Sequence, residues 1–409
     1  VTLRDYQARA VEVCEAATEP VLVVSPTGSG KGHMIAELAR RAPTLVLAHR
    51  EEIVRDLAQR VGHARTLVAG RWEGPATAPV TVALVQSLDA GAVTLPGLGR
   101  IVTDEAHHAV ASTYRALYAR HPGARHAGFS ATPSRGDGRG LGDVYARLHV
   151  AATPRELLER GLLAPVTVLA PPTAGVALAD DAARAYERYG DGRRAVVFVA
   201  TVHEAEQLAA RWPVPCGVVT GETRDRAELL ARFAAGDLRT LINVYVLTEG
   251  TDVPEAEVCV LARGCTSAAT YLQIVGRVLR PLPGKRALLV DLRGAVHVHG
   301  LPHDDRTWSL SGTTGRAAVS VETLRTCREC WYVYRGAVCP ACGAAPPAPK
   351  PPVVSVRPLR EVVSVDPGRR AALLRGLCRK HSNPAQVRVI YWRMTGAWPT
   401  AEDLRNARG

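Results

Sequence analysis

Val21-Leu-Val-Val-Ser25-Pro-Thr-Gly28-Ser-Gly30-Lys31-Gly32-His33 is the stretch that decides the fold. Its apolar opening reads as a short buried strand, two glycines break it, and the residues from Met34 to Arg41 resume with a helical period. A strand, a glycine-rich turn carrying a lysine, and a helix form together the context that a phosphate-binding loop needs. In the loop Pro26-Thr27-Gly28-Ser29-Gly30, Gly28 and Gly30 let the backbone N–H groups that follow Pro26 turn inward on an anion. Lys31 reaches the terminal phosphate oxygens, and the helix N-terminus adds positive potential. Rarity gives Lys31 weight: Lys31, Lys285, Lys350 and Lys380 are the only lysines, and the first 284 residues keep only the one in this loop. A guanidinium does not replace a compact ammonium packed against phosphates. One position departs from the pattern. The residue after the lysine, normally a Ser or Thr whose hydroxyl holds Mg²⁺, is Gly32, which leaves either a water in that place or a weakened metal site.

On either side of the loop, β-rich runs alternate with amphipathic stretches. Val21–Ser25, Thr44–Ala48, Val80–Val85, Ile101–Asp104 and Ala127–Ser130 read as strands, with helices over Met34–Arg41 and Glu51–Val61. A second series follows at Val166–Ala170, Ala195–Val199, Val218–Thr220, Thr240–Val244, Val258–Leu261 and Ala287–Asp291. The expected class is α/β, with two parallel-sheet lobes and a cleft between them. The boundaries expected are 1–165 for the first lobe, 166–296 for the second, 297–326 for an irregular connector, 327–343 for a cysteine module, 344–365 for a proline-rich linker and 366–409 for a basic helical segment. Helices are expected there at Arg369–Lys380 and Ala385–Met394.

At 409 residues, 47% hydrophobic and 22% charged, the chain has the balance of a soluble protein of two or three domains. No apolar run approaches the roughly 18 residues that span a bilayer, and no leader precedes the first element. The expectation is a cytoplasmic protein with no membrane partner. Net charge is +12, which suits polyanions. From His297 onward there are 17 Lys and Arg against 8 Asp and Glu. A solvated basic tail explains that excess equally well.

Val102-Thr-Asp104-Glu105-Ala-His107 ends a strand, where Asp104 can hold Mg²⁺ through water and Glu105 can act on an attacking water, while His107 bridges to Ser130-Ala-Thr132-Pro. In isolation, two acids at a strand end are ordinary surface charge. In the second series Gln273, Arg277 and Arg280 sit four and three residues apart, on one face of a helix. Two arginines there can reach across a cleft to a γ-phosphate, and Gly250-Thr-Asp252 supplies a loop for ribose and phosphate from the same side. A solvated basic stripe is the bland alternative.

In this order the segments resemble superfamily 2 helicases of the DEAH-box kind. Arg4-Asp-Tyr-Gln7 resembles the adenine-reading Q motif and Ser25–Gly32 resembles motif I. His49, Arg50, Gln86 and Ser87 fall in segments like the strand-contacting motifs Ia and Ib. Asp104–His107 spells DEAH, Ser130–Pro133 resembles the coupling motif III, Val196–Ala200 motif IV, Thr248–Pro254 motif V and Gln273–Arg280 motif VI. The resemblance covers about residues 3–291. Pro281–Lys285, His299-Gly300, Trp308–Leu310 and the cysteine module narrow it to RadD-like bacterial DNA-repair helicases and their phage relatives. It implies two RecA-like lobes, ATP with catalytic Mg²⁺, and DNA as partner, single-stranded or forked. The motifs themselves do not separate DNA from RNA.

Cys327-x₂-Cys330-x₈-Cys339-x₂-Cys342 has zinc-ribbon spacing. Two knuckles supply four thiolates, so a Zn²⁺ there is structural, and a redox pair is the rival reading. Trp331, Tyr332, Tyr334 and Arg335 either stack on bases or build the module's core, core packing being favoured for Trp331. His297, His299 and His303 show no ligand spacing and read as packed or solvated. Tyr391-Trp392-Arg393 and Trp398-Pro399 read as a helical cap, or else as a contact with DNA or a protein.

The expected activity is ATP hydrolysis in the inter-lobe cleft driving movement on DNA, in repair or recombination, by a monomer that meets a single-strand-binding or repair protein through its C-terminal region. The rivals are a weakly hydrolysing scaffold crippled at Gly32, an RNA helicase, and a duplex translocase that does not separate strands.

Overall fold

The computed structural model describes residues 2–88, 95, 97–134, 138–175, 178–247, 253–312, 324–346, 367–380, 384–395 and 399–407. It comprises two units, Val1–Pro346 and Pro347–Gly409.

Unit one holds two large sheets. The first has eight strands, β1 (Val21–Val24), β2 (Thr44–Ala48), β3 (Ala64–Val68), β4 (Arg71–Glu73), β5 (Val80–Leu84), β6 (Arg100–Asp104), β7 (Arg125–Ser130) and β8 (Arg147–Val150), in the order β4-β3-β5-β2-β6-β7-β1-β8. All pairings are parallel except β3 with β4. The second has β9 (Val166–Leu169), β10 (Ala195–Phe198), β11 (Cys216–Val219), β12 (Thr240–Asn243), β13 (Val258–Leu261) and β14 (Ala287–Asp291), all parallel, in the order β11-β12-β10-β13-β14-β9. Helices cover both faces, so central strands such as β1 and β10 are buried at every residue and read as unbroken apolar runs. The two α/β lobes are those the sequence implies. β3, β4 and β8 were not expected, because they carry mostly partly or fully exposed residues and so lack the apolar signal.

Three helices frame the first sheet's loops: α1 (Asp5–Ala16), α2 (Lys31–Arg40) and α3 (Glu51–Val61). In α3, Val54, Leu57 and Val61 face the core, while Glu51–Arg55 and Asp56–Arg60 pair at 2.7 Å on its outer side. One apolar cluster runs from the first lobe into the second. At the junction Ala164 N–H donates to Leu279 O at 2.9 Å.

Beyond β14 the chain turns back. Leu301 lies in the shared core, whereas Trp308 and Leu310 pack on a second cluster that belongs to the first lobe. Gly142 N–H donates to Leu310 O at 2.9 Å, and Arg139 pairs with Gly312. Residues 301–312 therefore strap the second lobe to the first. The irregular region expected over 297–326 starts instead inside a short helix, Val296–His299.

The cysteine module is annexed to the second lobe. Its two strands, β15 (Arg325–Thr326) and β16 (Val333–Tyr334), are joined to the β9 edge by a Leu169–Tyr332 bridge and by Ala170 N–H on Trp331 O at 3.1 Å. Val333 enters the shared core. Arg335 grips Asp304 with two 2.8 Å hydrogen bonds.

Unit two is helical, with Pro367–Lys380, Pro384–Thr395 and Ala401–Asn406 around Leu374, Leu377, Val387 and Tyr391. The third helix was not expected; Thr400 and Asp403 cap it reciprocally at 2.8 and 3.1 Å. Trp398 lies outside the described residues. Among the described residues no helix is long and apolar enough to cross a membrane.

Candidate nucleotide site

β1, β7 and β6 are neighbours, so their carboxyl ends, where open α/β sheets bind ligands, place three loops side by side. Val24 pairs with Ser130 and Asp104 with Phe129, and Ser25 N–H donates to Ser130 O at 3.0 Å. The loop leaves β1 through Gly28 and Gly30, whose φ of +94° and +83° suit only glycine. Lys31 Nζ returns to Ser25 O at 3.2 Å. From α1, Tyr6 OH and Gln7 Nε2 donate to Ser29 O at 2.6 and 2.9 Å, and Gln7 Oε1 accepts from Arg4 N–H at 2.9 Å. Gln7 is thus buried as a buttress of the loop, and Arg4 lines the open cleft.

The acidic pair faces the lysine. Burial, with Glu105 alongside, pushes the Asp104 carboxyl up to about 6, against the pull of Lys31. Burial lowers the Lys31 pKa, and Glu105 and Asp104 raise it. Glu105 takes a left-handed backbone, φ +46°, a conformation uncommon for a non-glycine residue. His107 Nδ1 lies 3.2 Å from Ser130 Oγ and 3.4 Å from Glu105 Oε2. Ser130 Oγ also accepts from Thr132 N–H at 3.3 Å. The acids and the neighbouring loop are therefore mechanically joined.

The second lobe brings its arginines to this loop. The helix expected through Arg280 ends at Val275. Arg277 and Val278 then hydrogen-bond three residues back, a tightened turn. The break falls where the lobes touch: a side chain on Gly276 would put its first carbon 2.6 Å from Thr27 Cβ, and one on Gly28 would lie 3.0 Å from Arg280 Nη1. The resulting cleft, about 1380 Å³, is lined by Thr27, Gly28, Lys31, Gly32, Asp104 and Glu105 on one bank and by Arg277 and Arg280 on the other. Three cations around a glycine cradle fit a triphosphate, and Asp104 with Glu105 fits a divalent metal.

His33 and Arg60, which also line the cleft, were missed. Arg60 is held by Asp56 at 2.7 Å and lies 3.0 Å from His33 Nε2. Burial and Arg60 lower the His33 pKa. The only sequence signal was an i,i+4 ion pair, which looks like any solvated helix face. A first side-chain carbon on Gly32 would lie 3.4 Å from Arg60 Cδ and 3.7 Å from Leu57 Cδ2, so a small side chain fits there.

The expected strand-contacting residues are more dispersed. His49, at the end of β2, stands 4.8 Å from the His108 ring. Arg50 donates across the seam to Val246 O at 3.1 Å, and Glu52 meets Arg226 at 3.8 Å. Gln86 is exposed and Ser87 half-buried. Arg50 borders a depression of about 860 Å³ shared with Arg226 and Tyr245. Tyr245 is 54% exposed, with the Arg263 guanidinium 3.7 Å above its ring, and nothing in its local sequence marked it. Thr248, Gly250 and Asp252 lie outside the described residues.

The sulfurs of Cys327, Cys330, Cys339 and Cys342 lie within 4.8 Å of one another, with Cys327–Cys342 at 3.5 Å and Cys330–Cys339 at 3.7 Å. A tetrahedron with metal–sulfur bonds of about 2.3 Å has edges of about 3.8 Å, so the set fits zinc. Tyr334 packs among the cysteines and Tyr332 packs on the second lobe, which is the core role. His297 Nε2 lies 2.7 Å from Pro171 O, and His299 stacks on Tyr271 with Nε2 2.9 Å from Cys265 O. Both are packed structural residues.

Residues 1–135 match the family model described as type III restriction enzyme, res subunit, and residues 180–281 match that of the helicase conserved C-terminal domain. A 51.5 kDa protein of a Lactococcus phage is 26% identical over 360 residues, covering 79% of this chain and 77% of its own. The DNA 3'-5' helicase XPB of Kineococcus radiotolerans is 29% identical over 323 residues; the alignment covers 68% of this chain but only 57% of XPB. Among solved structures, the type ISP restriction-modification enzyme LlaBIII bound to DNA superposes with a TM-score of 0.54 at 15% identity, over 71% of this chain and 28% of that one. S. cerevisiae Dbp5 bound to RNA and ADP BeF3 gives 0.52 at 17%, over 70% and 82%. At such identities the structures share the fold with this chain, and one carries DNA and the other RNA.

Proposed function

The chain belongs to the superfamily 2 helicases, and from that premise we propose that it is an ATP-driven DNA helicase or translocase of the DEAH type, acting in repair or recombination. The observation that carries the reading is the seam itself: Arg280 packs on Gly28 and Gly276 on Thr27, so residues from both lobes face one cleft. Lys31 and the loop N–H groups hold the β- and γ-phosphates, and Arg4 stands at the base side. Asp104 would hold a Mg²⁺ ion, which would supply charge neutralisation at the phosphates. Water attacks the γ-phosphorus and gives its proton to Glu105, the bond to the β–γ bridging oxygen breaks, and ADP departs. Arg277 and Arg280, with Gln273 behind them, neutralise charge on the transferred group, which is worth about three to five orders of magnitude in rate. His107, Ser130 and Thr132 transmit the change to His49, Arg50, Gln86, Ser87 and Thr248 along a bound strand.

The test is phosphate release with and without single-stranded DNA, repeated with RNA. Stimulation by DNA above that by RNA is expected, and Lys31→Ala and Glu105→Gln are each expected to abolish it while DNA binding persists. Turnover unchanged in both variants would overturn the site assignment. Gly32 favours a second reading, a scaffold that binds nucleic acid with little hydrolysis. A flat baseline with retained binding is the outcome that would establish it.

A further inference from the structure

Helicase lobes grip nucleic acid across their own seam, yet the strongest concentration of positive charge lies elsewhere. Residues 367–400 contain seven Arg and Lys and no Asp or Glu. Of the four acids in the unit, Glu361 and Asp366 precede the first helix, and Glu402 and Asp403 sit together in the last, where Asp403 is occupied in capping through Thr400.

The fold sorts these residues by face. In Pro367–Lys380, Leu374 and Leu377 turn into the unit's core with Val387 and Tyr391 of the next helix. The opposite side of that first helix exposes Ala371, Ala372, Arg375, Gly376, Arg379 and Lys380. At 100° per residue these six fall on one half of the cylinder. Between its cations the face carries only small residues, and around Gly376 the space is open, nothing lying within 4 Å of where a side chain would begin. Arg388 adds a cation from the second helix, also exposed.

We propose that this face of the C-terminal three-helix unit is a second nucleic-acid-binding surface, engaging the phosphodiester backbone independently of sequence and of ATP. Its chemistry favours that occupant. Most of the cations are arginines, whose planar forks pair with phosphate oxygens in two-point fashion. Backbone-directed binding needs neither base-reading amides nor aromatic platforms. A membrane-surface helix would show bulky apolar side chains opposite its cations, and a protein-docking face would show an apolar or aromatic centre. Among the described residues the exposed half of this helix has neither, and the bulky side chains opposite, Leu374 and Leu377, are taken up in the unit's core. The proposal rests on nucleic acid being the partner of the lobes.

The experiment uses the full chain without nucleotide. Fluorescence anisotropy with a labelled duplex and a labelled single strand is followed from 50 to 300 mM salt, for wild type and for Arg375→Glu/Arg379→Glu/Arg388→Glu. The variant is expected to bind at least about tenfold more weakly, with the slope of log affinity against log salt reduced by about two to three, one unit per lost phosphate contact. Its ATPase without DNA should be unchanged. A glutamine version of the triple variant, with helix content measured by circular dichroism, separates loss of charge from loss of fold and should show the same reduction in slope. Affinity and slope within twofold of wild type, in a wild-type protein whose ATPase is DNA-stimulated, would overturn the surface and leave the motor standing. Lost binding to phosphatidylglycerol vesicles with DNA binding intact would overturn it in favour of a membrane. A wild type that neither binds DNA nor responds to it would overturn both readings.

Discussion

Three glycines in one loop carry different burdens. Gly28 and Gly30 are fixed by backbone torsion, and Gly28 additionally by the guanidinium that lies over it. Gly32 is fixed by neither, because its backbone is ordinary helix and its neighbours stand at 3.4 Å or more. Gly32→Ser should therefore fold like wild type and lower the Mg²⁺ concentration needed for half-maximal ATPase; an unchanged metal titration would show that the absent hydroxyl is immaterial. Arg280→Ala should lower kcat by about 10³-fold with a much smaller effect on KM, as read from steady-state ATP titrations. The loop, the acids and the paired arginines were legible because each sits in a short local pattern: glycines and a lysine between strand and helix, two acids at a strand end, and two arginines three residues apart. Arg60, His33 and Tyr245 were not. They reach their sites through tertiary packing, and locally each looks like any helix surface or strand end.

Among the elements, strands with an apolar run announced themselves, including the edges β9 and β11 of the second sheet, while β3, β4 and β8 did not. These three bury too little to need an apolar pattern, so the hairpin of β3 and β4 left no trace in composition. The early end of the helix that leads to the arginines was equally hidden; it falls where Gly276 meets Thr27 of the other lobe. The cysteine module's spacing was plain, whereas its docking on β9 could be seen only in three dimensions. That docking leans on Asp304, largely buried between Leu301 N–H and Arg335. Burial opposes ionisation of Asp304, but the hydrogen bonds from Arg335 and Leu301 outweigh it and hold the carboxyl below its usual range. Its contribution to stability is complete above the ordinary carboxylate pKa of about 3.9 and is lost as the pH falls below that value through the folded one. Asp304→Asn should cost about 2 kcal/mol at pH 7, with the gap in melting temperature narrowing in acid. A gap independent of pH would exclude an ionic role. If the four thiolates hold zinc, a chelator should lower the melting temperature.

At the scale of the molecule, two lobes that the proposed cycle would part and close are also laced together by residues 301–312, which leave the second lobe and end on the first through Trp308, Leu310 and Gly312. Loosening the lacing with Trp308→Ser/Leu310→Ser should favour the open arrangement. ATP then has to supply more of the closure, so KM rises several-fold while kcat at saturation holds. The radius of gyration by small-angle scattering should increase without nucleotide and contract on adding a non-hydrolysable analogue; identical scattering curves for variant and wild type would refute the lacing role. The ribbon, by contrast, is bonded to the β9 edge of the second lobe. Because Leu169 and Tyr332 weld it to the arginine-bearing half, the ribbon is a passenger of Arg277 and Arg280: wherever those guanidiniums travel, the four sulfurs go with them.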